Sequence, residues 1–265
     1  MRFEELDARL RAFETSDDRS VPPELHIVVR LDGRGFTRQT REVWQLDAPF
    51  DERFRDHMLD TVEHLADCGF GVLYGYTQSD EISLLLRRDD ATFGRKTRKI
   101  LSVLAGEASA RFTLAMGRLA CFDARICPLP TPEVVVDYFR WRQEDAYRNA
   151  LNAHAYWRLR AEGRSASAAT AALAGLSVAQ KTELLFQHGI HFNELPTWQR
   201  RGIGLRAEEV EAAGVDPRSG TRVMTRRRQW RRDLARPHGE DYAAPVRPPV
   251  RGPARPSVGA ACSAR

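Results

Sequence analysis

Apolar positions change period along the chain, and each change marks an element. Phe3, Leu6, Leu10 and Phe13 fall at helical spacing in a charged segment, which Ser16-Asp17-Asp18 and Pro22-Pro23 break. Ile27-Val28-Val29 is an unbroken β-branched run, the pattern of a strand buried on both faces. From Pro49 to Cys68 the period becomes 3.6: Phe50, Phe54, Met58, Val62 and Leu65 form one stripe. Pro49 and Asp51 start this helix and Gly69 ends it. Phe70–Tyr76 and Ile82–Leu86 read as two strands, and the five residues between them allow only a hairpin. A second helix is expected over Phe93–Met116, with Ile100, Leu104, Ala108 and Phe112 on one side and Gly117 closing it. Cys121–Ile126 is a fourth strand.

The order strand, helix, strand, strand, helix, strand is that of the split βαβ, or ferredoxin-like, arrangement. The expected fold class is therefore α+β: an antiparallel palm sheet with helices on one face, followed by C-terminal helices. Past Pro132 the pattern is helical. Glu133–Arg160 forms one long segment, and shorter helices are expected near Ser165–Leu173 and Ser177–His188, with Ser177 as N-cap and Gln180 at N3. Four regions follow: an N-terminal helix and linker (1–24), the palm (25–132), a helical region for RNA binding or oligomerisation (133–216), and a tail (217–265). From Pro217 onward Arg, Pro and Ala dominate and disorder is expected. Tyr138, Phe139, Trp141, Tyr147, Tyr156 and Trp157 enrich the long helix; Trp141, Tyr156 and Trp157 read as core rather than as stacking platforms.

Composition sharpens this picture in two respects. A hydrophobic fraction of 42% and a charged fraction of 29% over 265 residues describe one soluble globular chain, with no membrane-length apolar run and a charged N-terminus unlike a signal peptide. The expected location is cytoplasmic. Cys68, Cys121, Cys127 and Cys262 form no CxxC pair and read as reduced, structural thiols. The net charge of +5 is unevenly spread: twelve Arg face three acids after position 217, so that segment carries +9 and the rest −4. Such a tail either holds RNA by counterion release or is a solvated end.

The chemistry rests on two strand ends. Asp32 stands where the first strand leaves the sheet, and Gly33 and Gly35 follow it. Glycine permits close backbone approach or positive φ, and an acid beside exposed backbone can hold a hard cation and a phosphate together. An Asp-Gly strand end alone is an ordinary turn. Asp80 and Glu81, however, lie in the hairpin 48 residues on, and the split βαβ sheet makes the first and third strands neighbours. Asp32 and Asp80 are therefore expected to meet, as in a polymerase or cyclase palm. There two carboxylates bridge two Mg²⁺ ions, one lowering the pKa of an attacking hydroxyl and the other holding the triphosphate. Ser79 would bond a base or phosphate. Arg95, Lys96, Arg98 and Lys99 crowd the start of the second helix, where cations are electrostatically misplaced. The expected compensation is a bound triphosphate, or an RNA phosphate.

The segments VVRLDGRGF, YGYTQSDEISLLL, DYFRWRQEDAYRNALNAHAYW and KTELLF occur in that order between Leu25 and Leu205. In this the chain resembles the histidine-tRNA guanylyltransferase family, and specifically its prokaryotic guanylyltransferase-like 3′-5′ polymerase branch. The resemblance implies a palm fold, two Mg²⁺ ions, GTP and ATP as substrates, tRNA as acceptor and a homotetramer. It implies nucleotide addition at the tRNA 5′ end: ATP activates a 5′-monophosphate, and a nucleotide 3′-hydroxyl attacks it. It places the metal ligands on Asp32, the Gly33 carbonyl and Asp80, with Glu81 as the essential neighbouring acid. It places the nucleotide turn on Asp32, Gly33, Arg34, Gly35, Phe36 and Thr37, together with Ser79. Phosphate-binding bases fall on Arg30 and Lys96, with Arg95, Lys99, Asn149 and Lys181 as further RNA or phosphate contacts.

The chain departs from the family pattern at two places. The eukaryotic HINNLYN segment reads Tyr147-Arg148-Asn149-Ala150-Leu151-Asn152-Ala153, which puts strict selection of the histidine tRNA in question. The eukaryotic K-P-N-D loop reads Ala48-Pro49-Phe50-Asp51 and lacks the lysine. His154 is either a substitute for the missing His or a packed helical residue. Two other readings stay open: a palm-fold nucleotide cyclase, and a catalytically silent palm that binds RNA.

Overall fold

The computed structural model describes residues 2–215, 218, 220–235 and 246. A six-stranded antiparallel sheet has the order β4-β1-β3-β2-β5-β6, with β1 His26–Gly33, β2 Val72–Gln78, β3 Glu81–Leu86, β4 Phe122–Leu129, β5 Ile203–Val215 and β6 Arg222–Asp233. The first four strands stand in the expected split βαβ order, with β1 and β3 adjacent at the centre. Helices α3 (Glu52–Asp67) and α4 (Thr97–Met116) cover one face. The principal core lies beneath them, where Val29, Leu31, Met58, Leu65, Leu84, Leu104 and Phe112 pack together. The carboxylate of Asp51 starts α3 by accepting the backbone N–H groups of Arg53 and Phe54.

The long helix α5 (Pro132–Ala161) crosses the other face. Thr131 caps it, accepting from Val134 N–H, and proline occupies the first turn where its missing N–H costs nothing. Val135, Tyr138 and Phe139 pack on Val28, Tyr74, Tyr76 and Leu85 to form a second, smaller core. The far half of α5 leaves the sheet. There it buries Ala150, Leu151, Ala155 and Leu159 against α6 (Ala166–Leu173), α7 (Val178–Gln187) and Phe192. At α7 the Ser177 hydroxyl accepts from Gln180 N–H at 3.2 Å and the Gln180 side chain accepts from Ser177 N–H at 2.8 Å, the expected box.

Two boundaries differ from the sequence expectation. The second helix begins at Thr97 rather than Phe93, because Phe93, Gly94 and Arg95 take positive φ and break the helical path. Arg222–Asp233, expected to be disordered, is a strand, and the region 133–216 ends in β5 rather than in helix. Opposite charges on facing strands make this possible. Glu208 meets Arg231 at 3.3 Å, Arg232 clamps Glu63 and Asp60 of α3 at 2.7 Å each, and the Trp230 indole donates to Asp67 at 3.2 Å. An arginine-rich composition thus hides a strand whose partners are acids elsewhere. The remaining tail expectation lies outside the described residues. Cys68, Cys121 and Cys127 carry free thiols, as expected; Cys262 lies outside the described residues. No helix among the described residues is long and apolar enough to cross a membrane.

Candidate active site

Strand alternation settles which face each functional side chain occupies. On β1, Ile27, Val29 and Leu31 enter the core under α3 and α4, so Val28, Arg30 and Asp32 face the α5 side. On β3, Ile82, Leu84 and Leu86 take the first face, which leaves Glu81 and Ser83 on the second. Asp32 pairs with Glu81 in the β1–β3 ladder, so the carboxylate directly across from Asp32 is that of Glu81. Asp80 sits one residue further out in the hairpin, where its carbonyl accepts the Gly33 N–H at 3.0 Å. The expectation that Asp32 and Asp80 come together therefore holds at the backbone, with Glu81 completing the group.

Three guanidinium groups tie these acids together. One Arg30 nitrogen lies 2.7 Å from both Asp32 and Glu81. Arg142 of α5, only 3% exposed, reaches Glu81 at 3.1 Å and Asp145 at 3.4 Å. Arg125 of β4 approaches the Asp32 Oδ2 at 3.0 Å, yet that oxygen is buried without a hydrogen-bond partner. Burial pushes the Asp80 carboxyl up; the Ser79 hydroxyl and Arg30 oppose it, while Asp32 adds to it. Burial also pushes Glu81 up, against the pull of Arg142 and Arg30. No ion pair neutralises Asp80 among the described residues.

The two glycines of the turn serve different ends. A Cβ at Gly33 would stand 2.5 Å from the Phe36 ring, so this position is small because a side chain of the same turn closes over it. Gly35 takes φ 71° to start the short helix α2 (Phe36–Arg38). Phe36 then anchors the turn by packing edge-on against Trp44 and Phe122.

A cavity of about 450 Å³ opens beside this turn, large enough for a nucleoside. Phe36, Thr37, Ser79 and Asp80 line one side of it, and Pro49, Phe50, Asp51 and Trp198 line the rest. Arg55 lies over the Trp198 ring at 4.8 Å, and Arg41 over Trp157 at 5.4 Å, so two cations stand on aromatic walls. Ser79, at φ 51°, turns the hairpin toward this space.

Other predicted contacts fall elsewhere. The start of α4 lies at the opposite end of the sheet, because the end of α4 leads into β4 beside Gly33. Arg95 is buried there and donates to the carbonyls of Val21, Pro22, Leu25 and Arg88. Lys96 and Arg98 both pair with Asp18, whose carboxyl they hold down to about 2, and Lys99 lies over the Phe93 ring. The anion that offsets the misplaced charge is thus the chain's own Asp18. Within one chain these four residues lie away from the acids of the strand ends. Asn149 does connect to the site: it donates to Asp145, which meets Arg142, which meets Glu81. Lys181 bonds Asn152 at 2.9 Å, within the C-terminal helices. His154 packs against Phe50 and Phe192, and burial pushes its pKa down, so it is a packed residue rather than a substitute ligand. Tyr147 packs on Phe192 and its hydroxyl donates to Asn193 at 3.1 Å. Trp141, expected in the core, is 56% exposed.

Sequence reading missed Arg142, Arg125 and the arginine-aromatic walls. Arg142 was within reach, since it stands inside the WRQED segment; the others depend on strand register and loop path.

Comparison with known proteins adds the identity of the scaffold. The family model described as tRNAHis guanylyltransferase matches residues 7–130, and that of the Thg1 C terminal domain matches 133–238. A probable tRNA(His) guanylyltransferase of Drosophila melanogaster is 32% identical over 211 residues, covering 76% of this chain and 73% of the relative. The chain belongs to the tRNA(His) guanylyltransferase family. Another relative of this nucleotidyltransferase family, from Debaryomyces hansenii, is 31% identical over 208 residues and 78% of its length. A solved bacterial tRNA(His) guanylyltransferase (Thg1)-like protein in complex with GTP superposes with a TM-score of 0.69 at 29% identity, over 88% of this chain and 93% of that one. The Saccharomyces cerevisiae enzyme, at 24% identity and a TM-score of 0.68, shares the fold. The family's C-terminal domain runs through β5 and β6, which agrees with the ordered hairpin described above.

Proposed function

We propose that this guanylyltransferase-family chain adds a GTP-derived, or other nucleotide-derived, unit to the 5′ end of a tRNA, after activation of that end with ATP. The observation that carries the reading is Asp80 in the wall of a nucleoside-sized cavity, joined by its backbone to the strand ends that bear the facing Asp32 and Glu81, on a family scaffold. A solved bacterial relative in complex with ATP, 28% identical over 88% of this chain, supports ATP as a second nucleotide and supports the prokaryotic-like branch.

Asp32, Asp80 and the Gly33 carbonyl fit Mg²⁺. Mg²⁺ takes one or two carboxylates plus substrate phosphates, so a cage of three acidic side chains is not required, and none is found among the described residues. The half-buried Asp80 carboxylate, which has no ion pair among the described residues, and the Asp32 carboxylate, which only guanidinium groups meet, are the donors such an ion needs. Bound there, the pair of ions would supply hydroxyl activation and charge neutralisation. The chain's own residues do the rest. The turn from Asp32 to Thr37, with Ser79, holds the nucleotide; Arg34 anchors that turn by donating its N–H to the Cys121 carbonyl at 2.8 Å. Arg30 and Arg142 fix Glu81 and offer positive charge to a phosphate. The exposed apolar stripe Phe3, Leu6, Leu10 and Phe13 on α1 (Phe3–Glu14) supports assembly into the homotetramer the family resemblance implies, and the tRNA substrate supports a cytoplasmic location.

The test is transfer of label from GTP, with Mg²⁺ and ATP present, to a tRNA lacking its 5′ nucleotide. Transfer is expected with the native chain and a loss of at least about a thousandfold in Asp80→Ala, of the order seen when one preorganised charged group is removed. A cyclic nucleotide formed without RNA, or tight RNA binding with no transfer, would overturn the reading.

A further inference from the structure

The β4 edge of the sheet carries groups that the cavity does not use. Asp123 and Arg125 pair in register with Asp32 and Arg30, so they face the α5 side and extend both rows outward. The result is a row of carboxylates, Asp123, Asp32 and Glu81, with Arg125 and Arg30 behind it. Arg125 is 57% exposed and Asp123 60%. Arg125 pairs with Asp32 at 3.0 Å and approaches Asp123 at 3.6 Å, yet more than half of its side chain stays open to a ligand.

Trp141 stands over the same flank. Successive helix residues turn by about 100°, so Phe139 and Trp141 point to opposite sides of α5. Phe139 packs on Tyr74 of β2. Trp141 rests edge-on against Tyr138, whose hydroxyl hydrogen-bonds with that of Ser83 on β3 at 3.1 Å. The neighbours Tyr138 and Phe139 are buried while Trp141 is 56% exposed. The Arg142 guanidinium lies over its ring, 3.4 Å from the centroid. An exposed indole held by an arginine that is itself fixed by Glu81 is a preorganised platform for a base.

Neither Asp123, Arg125 nor Trp141 lines the cavity, so a nucleotide placed there leaves this flank free. We propose that Trp141 and Arg125 receive the 5′ end of the acceptor RNA, Trp141 stacking its terminal base and Arg125 holding its terminal phosphate. The inference rests on the transferase reading, and it adds the side from which the acceptor arrives.

The test compares native chain, Trp141→Ala, Trp141→Phe and Arg125→Ala in binding one RNA bearing either a 5′-monophosphate or a 5′-hydroxyl, alongside KM for RNA and for GTP. Trp141→Ala should raise Kd and KM for RNA about tenfold, with Trp141→Phe restoring most of the loss. Arg125→Ala should erase the preference for the phosphorylated end. KM for GTP should stay the same in both Trp141 variants. RNA affinities within twofold of native in both alanine variants, or a rise in KM for GTP in place of RNA in Trp141→Ala, would overturn the proposal. A native chain that transfers no nucleotide overturns the transferase reading instead, and the binding comparison then still decides this one.

Discussion

Asp51 shows how much one side chain can carry outside the chemistry. Burial works against its charge, but the Arg53 guanidinium and the N–H groups of Asp47, Phe54 and Arg53 hold its carboxyl down to about 2. The folded value lies below the ordinary value of about 4, so its stabilisation is present above pH 4 and is lost as pH falls from about 4 to about 2. Asp51→Ala should cost about 1–2 kcal/mol at neutral pH in urea unfolding, with the two stability curves converging near the acid end. A gap that stays constant down to pH 2.5 would contradict this account. Sequence identified Asp51 as a helix start; its second bond, which pins the loop at Asp47, required coordinates. Asp32, Asp80 and Glu81 were legible as residues because two acidic strand ends fall on strands that the split βαβ order makes neighbours. That Glu81, and not Asp80, lies opposite Asp32 is a matter of register, which a one-residue slip would have changed.

At the scale of elements, the basic start of α4 is the instructive case. Its charge invited a ligand, and the chain supplies one itself through Asp18 and four carbonyls. Arg95→Ala should destabilise the fold by about 2–3 kcal/mol, since bonds to a charged donor are lost together. KM for GTP should not change, because the residue lies at the far end of the sheet. A nucleotide KM that rises with stability preserved would restore the triphosphate role. The ordering of β6 has a similar origin. Its arginines look like a solvated run, and only the fold brings Asp60 and Glu63 to Arg232.

At the scale of the whole molecule, one sheet serves two cores and carries the acids at one end. α3 and α4 close one face, α5 closes the other, and the far half of α5 builds the cavity wall with Ala153 and Trp157. The β5–β6 ribbon pairs with β2 only from Ile203 to Arg206; past that, the side chains of Trp230 and Arg228 reach Asp67 and the Val72 carbonyl, and at its outer end Val215, Val223 and Met224 are exposed. Amides beyond Arg206 should therefore exchange hydrogen far faster than those of β1 and β3, although they are paired. Equal protection along the ribbon would show that its outer half is covered by another surface.

The sequence by itself determined the order of the palm elements, the acids at the strand ends and the glycine turn, because period, capping and strand-end chemistry are local. Its ordered motifs also carried the family. Only the tertiary structure decided which carboxylates face one another, that Asp18 and backbone carbonyls meet three of the cations at the start of α4, that β6 is ordered and that Trp141 is exposed. Each of these depends on a partner far away in sequence, and charge or burial of that kind leaves no periodic trace along the chain.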